Sequence, residues 1–273
     1  MKFARNAGVA AVAFVWALAA PYAQDARPFE PQLNQPGKDV QWVPTPPALV
    51  EKMLDLAKLT ADDRFVDLGS GDGVLVIASA KRGARARGIE YDSNLVALSK
   101  VRAKEAGVAS RTRFDRGDVF KGDFSEADVV TTFLLPSMNF QLRPTFLAMK
   151  PGTRIVANTF GMGEWEPDET VSIDPCERWC KAMLWVVPAR VGATWLTPKG
   201  DLVLKQQFQR VSGTLGADRI EDGRLRGNVI SFTAGKTAYR GTVEGARMRL
   251  STVVDGKPVE WTVRLALVQT PKP

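Results

Sequence analysis

Val66-Asp67-Leu68-Gly69-Ser70-Gly71-Asp72-Gly73 lies between a short β-type run, Arg64 to Leu68, and an apolar helical segment, Val74 to Ala80. The order strand, glycine turn, helix decides the fold class. At the carboxyl end of a strand in an open α/β sheet, glycines let the backbone turn sharply and approach a bound molecule closely. The spacing is G-x-G-x-G, which differs from the G-x-G-x-x-G of dinucleotide sites that cradle a pyrophosphate.

Outward from this turn, the rhythm continues. Ala86 to Glu90 reads as a second strand, Ser93 to Ala106 as a helix stopped by Gly107, Arg111 to Asp115 as a third strand and Asp128 to Leu134 as a fourth. Phe140 to Met149 reads as a helix, and Thr153 to Phe160 as a fifth strand after a Pro-Gly turn. Alternating strands and helices predict an α/β domain, a Rossmann-like parallel sheet covered on both faces. Upstream, Thr45 is placed to cap a helix opening with Pro46 and Pro47, whose apolar face is Val50, Met53, Leu54 and Ala57 and which should run to about Leu59.

Acidic residues follow the strands in register. Glu90 ends the second strand about twenty residues beyond the first glycine, where a carboxylate can accept hydrogen bonds from two ribose hydroxyls. Asp118, in Gly117-Asp118-Val119 after the third strand, is placed to accept one from an adenine amino group. With the glycine spacing, this set favours S-adenosylmethionine (SAM), whose amino-acid part needs a close backbone and whose sulfonium needs no pyrophosphate cradle.

On these residues the sequence resembles the class I SAM-dependent methyltransferases. More narrowly, it resembles the archaeal broad-specificity protein lysine methyltransferases and the mitochondrial enzymes that modify the c-ring of ATP synthase and the adenine nucleotide translocase. The resemblance runs over Trp42-Val43-Pro44-Thr45, Asp67 to Gly73, Gly88 to Asp92, Gly117-Asp118, Leu134-Leu135-Pro136 and Pro151-Gly152, within residues 38–170. It implies that Trp42 and Thr45 close over SAM, with Trp42 standing where the family usually has Tyr. Asp67 and Gly69 would flank the methionine part, and Ser70, Gly71, Gly73, Glu90, Asp118 and Val119 would complete the cofactor-binding set. Phe133, Leu134 and Pro136 would line the entrance for the target amine, whose acceptor would be a protein lysine or a small-molecule amine.

After Pro175 the rhythm changes to short β-rich runs separated by Gly, Asp or Lys turns: Met183 to Val191, Leu202 to Val211, Asn228 to Phe232, Thr237 to Val243, Met248 to Val254 and Val259 to Val268. Their alternation predicts an antiparallel meander forming a small barrel or sandwich. The expected organisation is therefore a signal or anchor at 1–23, a linker at 24–38 without chemistry of its own, a SAM-binding domain at 39–175 and a β-rich domain at 176–273.

Of the 273 residues, 37 are Lys or Arg and 30 Asp or Glu. Residues 181–273 carry 15 of the bases against 7 acids, which reads first as a solvated outer sheet face. There is no histidine, which excludes Ser-His, Cys-His and His-metal schemes. Cys176 and Cys180 alone make a poor zinc site, so no metal is expected. Two states of the pair stay open: a disulfide, as an exported chain allows, or two thiols on neighbouring helical turns, where closure has poor geometry.

Lys2 and Arg5 precede an uncharged run from Ala7 to Ala23, which predicts a secretory signal or an uncleaved membrane anchor, with the rest of the chain exported to the periplasm. The leading functional reading is an exported or tethered methyltransferase acting on amines. Against it stands a binding module that keeps the SAM site while the β-rich part holds an apolar ligand or a partner. A nucleic-acid acceptor ranks last, because no Asn or Asp followed by Pro-Pro and an aromatic comes after the fourth strand.

Overall fold

The computed structural model describes residues 29–254 and 256–266, so the expected signal at 1–23 lies outside the described residues. Among the described residues no helix is long and apolar enough to cross a membrane. The chain runs through α1 (Pro47–Leu56), β1 (Arg64–Leu68), α2 (Val74–Lys81), β2 (Arg85–Glu90), α3 (Ser93–Glu105), β3 (Thr112–Arg116) and β4 (Val129–Thr132). There follow α4 (Pro136–Ala148), β5 (Arg154–Asn158), β6 (Glu169–Ser172) and β7 (Lys181–Val186).

Strands β1 to β7 form one sheet in the order β3-β2-β1-β4-β5-β7-β6. The first five are parallel, and β7 pairs antiparallel to β5. Side-chain alternation along β1 sends Phe65 to one face, where it packs with Leu49, Met53, Leu75 and Val76 of α1 and α2. Val66 and Leu68 point to the other, with Leu142 and Phe146 of α4 and Trp165. Burial on both faces leaves only the carboxyl edge of the parallel strands free for a ligand.

Beyond this sheet, β8 (Thr194–Thr197), β9 (Gly200–Gln207), β10 (Arg210–Leu215), β11 (Asp218–Arg226), β12 (Val229–Ala234), β13 (Thr237–Glu244), β14 (Arg247–Val254) and β15 (Lys257–Leu265) close into an eight-stranded antiparallel barrel. Eight strands enclose a space just wide enough to be filled by side chains. Trp195, Leu204, Leu225, Ile230, Phe232 and Leu250 are among those that fill it.

Several boundaries differ from expectation. The sequence pattern places the run from Met183 in the meander, yet β7 and its partner β6 extend the first sheet. Buried residues Ala182 to Val186 form a continuous apolar strand, as a sheet covered on both faces requires, and lack the alternation of the barrel strands. Helix α1 ends at Leu56, and Lys58 takes a left-handed conformation that stops it short of Leu59. Its N-cap is Pro46, so Thr45 stands one residue outside and does not cap it.

The barrel is bolted to the edge of the sheet by charge. Arg210 pairs with Glu166, Arg226 with Glu169, and the Arg224 guanidinium donates to Asp168 at 2.7 Å. Asp168 has a fully buried side chain whose other oxygen accepts the Val186 N–H at 2.8 Å. Trp165 stacks on Phe208 with ring centroids 6.0 Å apart. The Arg210 and Arg226 pairs are exposed and contribute little, whereas removing the buried Asp168 leaves the Val186 N–H without its acceptor and costs the half-exposed Arg224 its buried partner. Asp168→Ala should lower the unfolding free energy by about 2 kcal/mol, against under about 1 kcal/mol for Arg210→Ala or Arg226→Ala, read from urea denaturation midpoints.

Candidate active site

The turn after β1 is clamped to the end of β2. Gly69 and Ser70 both donate their N–H to the Ile89 carbonyl, at 2.9 and 3.2 Å. Gly71 donates to one oxygen of Glu90 at 2.8 Å, while the other oxygen accepts the Asp92 N–H at 2.9 Å. Each carboxylate oxygen keeps a lone pair for a further donor, which suits two vicinal hydroxyls. Gly71 sits at φ +53°, and a Cβ there would come within 2.9 Å of the Trp42 indole nitrogen. Gly88 must also lack a side chain, since a Cβ would collide with the Ser70 hydroxyl lying over it.

A cavity of about 400 Å³ opens beside this turn, within the range of ligand pockets. Asp67, Gly69, Ser70, Gly71, Glu90, Asp118, Val119, Phe133 and Leu134 all border it, as do Trp42 and Thr45. Thus the structure brings together eleven of the thirteen residues singled out from sequence. Gly73 instead ends the turn at φ +82°, capping α2 and packed on Phe114 and Ser99. Pro136 does not border the cavity: it is exposed at the first position of α4, where its missing N–H costs nothing, and Leu135 and Met138 take the wall. The Ser70 hydroxyl is buried without a partner, turned under the loop, so Ser70 presents backbone to the cavity.

Asp67 is fully buried and accepts the Thr131 hydroxyl at 2.6 Å. Burial pushes its carboxyl up to about 7; the Thr131 hydrogen bond opposes this, and the neighbouring Glu90 and Asp72 carboxylates add to it. A group whose folded pKa is raised in this way favours the fold most below its unfolded pKa, and that contribution declines as pH rises through about 7. An amino group bound beside Asp67 would draw it back to the ionised form.

A strap, expected to be an inert linker over its first half, forms the cavity's outer wall. Residues 34 to 45 cross the opening, pinned by the Pro36–Gln41 bridge and by the Asn34 N–H to Trp42 carbonyl and Trp42 N–H to Gln35 carbonyl hydrogen bonds, both 3.0 Å. Lys38 donates to Asp118 at 2.9 Å, and the Phe120 N–H donates to the other oxygen of Asp118 at 3.0 Å. These bonds, Lys38 first, hold the Asp118 carboxyl below its ordinary pKa. Asp118 therefore latches the strap as well as bordering the cavity. Thr45 is buried at the strap's other end, where its hydroxyl accepts from the Asn158 amide at 3.3 Å.

Two bordering residues escape a reading of the sequence, Phe160 after β5 and Trp179 in the loop before β7. That loop is closed by a Cys176–Cys180 disulfide, which settles the open question about the two thiols. Only the position of Trp179 beside a cysteine signals it, and Phe160 reads as strand.

The side chains fit SAM. Across the carboxyl edge, Asp118 follows β3, Glu90 ends β2 and Asp67 is the penultimate residue of β1 before the glycine loop, an order of acceptors that would match the adenine, ribose and amino group of the cofactor.

Comparison with known proteins agrees. Residues 67–169 match the family model described as the ANTKMT methyltransferase domain. The chain is 38% identical over 138 residues to a protein-lysine N-methyltransferase of Saccharolobus islandicus (strain REY15A), covering 50% of this chain and 86% of that protein. It is 35% identical over 120 residues to the adenine nucleotide translocase lysine N-methyltransferase of Mus musculus, covering 43% of this chain and about half, 52%, of the mouse protein. A solved structure described as an RNA methyltransferase from Salinibacter ruber, in complex with S-adenosyl-L-homocysteine, is 46% identical, with a TM-score of 0.52 over 55% of this chain and 96% of that one.

Gly71→Ala should weaken S-adenosylhomocysteine binding by tenfold or more in calorimetry, while Gly192→Ala, outside the cavity lining and with no atom closer than 3.5 Å to the added Cβ, should leave it unchanged. Between pH 6 and 7.5 the wild-type affinity should rise severalfold as Asp67 ionises, and in Asp67→Asn this dependence should vanish.

Proposed function

This chain belongs to the class I SAM-dependent methyltransferases, and from that premise we propose that it methylates the side-chain amine of a protein lysine. The observation that carries the acceptor is the sign of the cavity. Asp39, Glu90, Asp92 and Asp118 line it with a single base, Lys38, while Asp72 is paired with Arg102 and Asp67 is held toward its neutral form by burial; the remaining balance is negative and favours a cationic side chain over a phosphate backbone. The names of the archaeal and mouse relatives support the same choice.

When bound, SAM supplies a methyl group already activated on a sulfonium. The residues of this chain have the remaining task, which is positioning and drying. Leu134 and Met138 are buried in the cavity wall beside Phe133 and Leu135, so an amine entering there is desolvated and its pKa falls. The neutral amine is the nucleophile, and its proton leaves to water, in keeping with the absence of histidine.

Export is also part of the proposal. The Lys2, Arg5 and Ala7-to-Ala23 pattern supports it, as does the Cys176–Cys180 disulfide, a bond favoured outside the reducing cytoplasm. In this reading the enzyme works on proteins of the cell envelope.

A second reading, methylation of RNA, has the Salinibacter ruber similarity in its favour. The carboxylate-lined cavity weighs against it, as does the Thr132-Phe133-Leu134-Leu135-Pro136 stretch where an amino-methylating nucleic-acid enzyme would carry Asn or Asp before Pro-Pro.

Incubated with radiolabelled SAM, an envelope protein extract and total RNA, the purified chain should place label in material that protease destroys and nuclease spares, on lysine by mass spectrometry. Label confined to RNA or to small molecules would refute the lysine acceptor. A fusion of residues 1–40 to a reporter active only in the periplasm should be active, and a silent reporter would refute export.

A further inference from the structure

We infer that Phe133, Phe160 and Trp179 form an aromatic corner that receives the acceptor's ammonium group and holds its methylated forms more tightly than an uncharged side chain of the same shape. This rests on the lysine reading above and extends it from Phe133 to Phe160 and Trp179, which neither the family's motifs nor the sequence pattern assigns.

The topology places the corner. Asp118, Glu90 and Asp67 occupy the ends of β3, β2 and β1, and the next two ends along the same edge belong to β4 and β5. Phe133 follows β4 and Phe160 follows β5, so these rings lie where the cavity continues past the methionine end. Trp179 reaches the same place from the loop between β6 and β7. Ring centroids are 6.2 Å apart for Phe133 and Phe160, 5.6 Å for Phe133 and Trp179, and 5.5 Å for Phe160 and Trp179. The two phenyl rings lie nearly parallel at 26°, while the indole meets them at 64° and 57°, which makes a corner and not a flat stack. All three are half-buried and border the cavity, so ring surface remains open to it.

Trp179 is fixed more firmly than a loop residue usually is. The Cys176–Cys180 bond closes the loop around it, and the Ile173 N–H donates to the Cys180 carbonyl at 3.0 Å. Its backbone lies at φ +60°, a conformation that a bulky residue seldom takes and that directs attention to function. Phe160 is held too, since its carbonyl accepts the Asn139 amide at 2.9 Å. Aromatic faces attract ammonium and quaternary ammonium groups through the ring quadrupole, and desolvation strengthens the attraction. A methylated ammonium loses less hydration on entering, so the corner favours the partly methylated lysine, which releases a proton to water before it can accept the next methyl group.

The test compares two probes on the full chain saturated with S-adenosylhomocysteine: N-acetyl-Nε-trimethyllysine amide, and its neutral isostere in which carbon replaces the quaternary nitrogen. The cation should bind about tenfold tighter in the wild type, a preference within reach of cation–π attraction to several faces. Trp179→Leu keeps apolar bulk but removes the π face, so the preference should fall to about threefold or less, and Trp179→Phe should keep most of it. Phe160→Leu provides a second removal should the loop variant fail to fold. Equal binding of the two probes by the wild type, or an unchanged preference in a folded Trp179→Leu or Phe160→Leu, would overturn the corner. Protein lysine labelled by an enzyme that binds both probes equally would leave the lysine acceptor standing without the corner. Label in RNA alone, with the cation preference intact, would do the reverse.

Discussion

The Glu90 carboxylate carries more of the site than any other single group. It accepts the Gly71 N–H on one oxygen and the Asp92 N–H on the other, so the end of β2, the glycine turn and the start of α3 are held by one charge-assisted pair. With Gly69 and Ser70 donating to Ile89, the turn is folded back against its neighbouring strand and its backbone faces the cavity. The glycines follow from that geometry: the position of Gly71 is closed to a side chain by Trp42, and that of Gly88 by Ser70. The strap can lie close over the turn only because no side chain intervenes.

From this clamp the site extends in both directions along the carboxyl edge. Toward β3, Asp118 latches Lys38 and so holds the strap over that end of the cavity. Toward β4 and β5, Asp67 gives way to the apolar wall of Leu134 and Met138 and then to the three aromatic rings. A cavity whose few charged groups are mostly carboxylates and whose far end is aromatic suits a cationic cofactor. The barrel stands apart from this chemistry. It fills its own interior and presents Arg210, Arg224 and Arg226 to the sheet's acidic edge. Part of the basic excess seen in sequence after residue 180 is thus taken up by an intramolecular contact.

Much of this is legible because it follows from local rules. The parallel strands announce themselves as short apolar runs, the glycine turn by spacing, and the carboxylates by their place after successive strands. The features that escape depend on tertiary partners. Strand β11 reads Asp218-Arg219-Ile220-Glu221-Asp222-Gly223-Arg224-Leu225-Arg226, and only Ile220 and Leu225 are buried. The register shift between Glu221 and Arg224 breaks the alternation, so the pattern of a strand is lost in a mostly charged sequence. Residues 34 to 38 are polar and look like linker, and their role arises only when Lys38 meets Asp118, eighty residues on. Trp179 is brought to Phe133 and Phe160 by a strand, β7, that joins the first sheet from the far side of β5, although its place in the run of short strands after Pro175 reads as part of the barrel. Pro136 has the place of a family motif, and the helix it heads turns it to solvent.

An experimental structure of the chain with S-adenosylhomocysteine would test the account most directly. The ribose hydroxyls should lie within hydrogen-bond distance of Glu90, the amino group beside Asp67, the adenine between Val119 and the strap, and the sulfur facing the Phe133 side of the cavity. A ligand bound elsewhere, or one whose sulfur points away from Phe133 and Trp179, would contradict it.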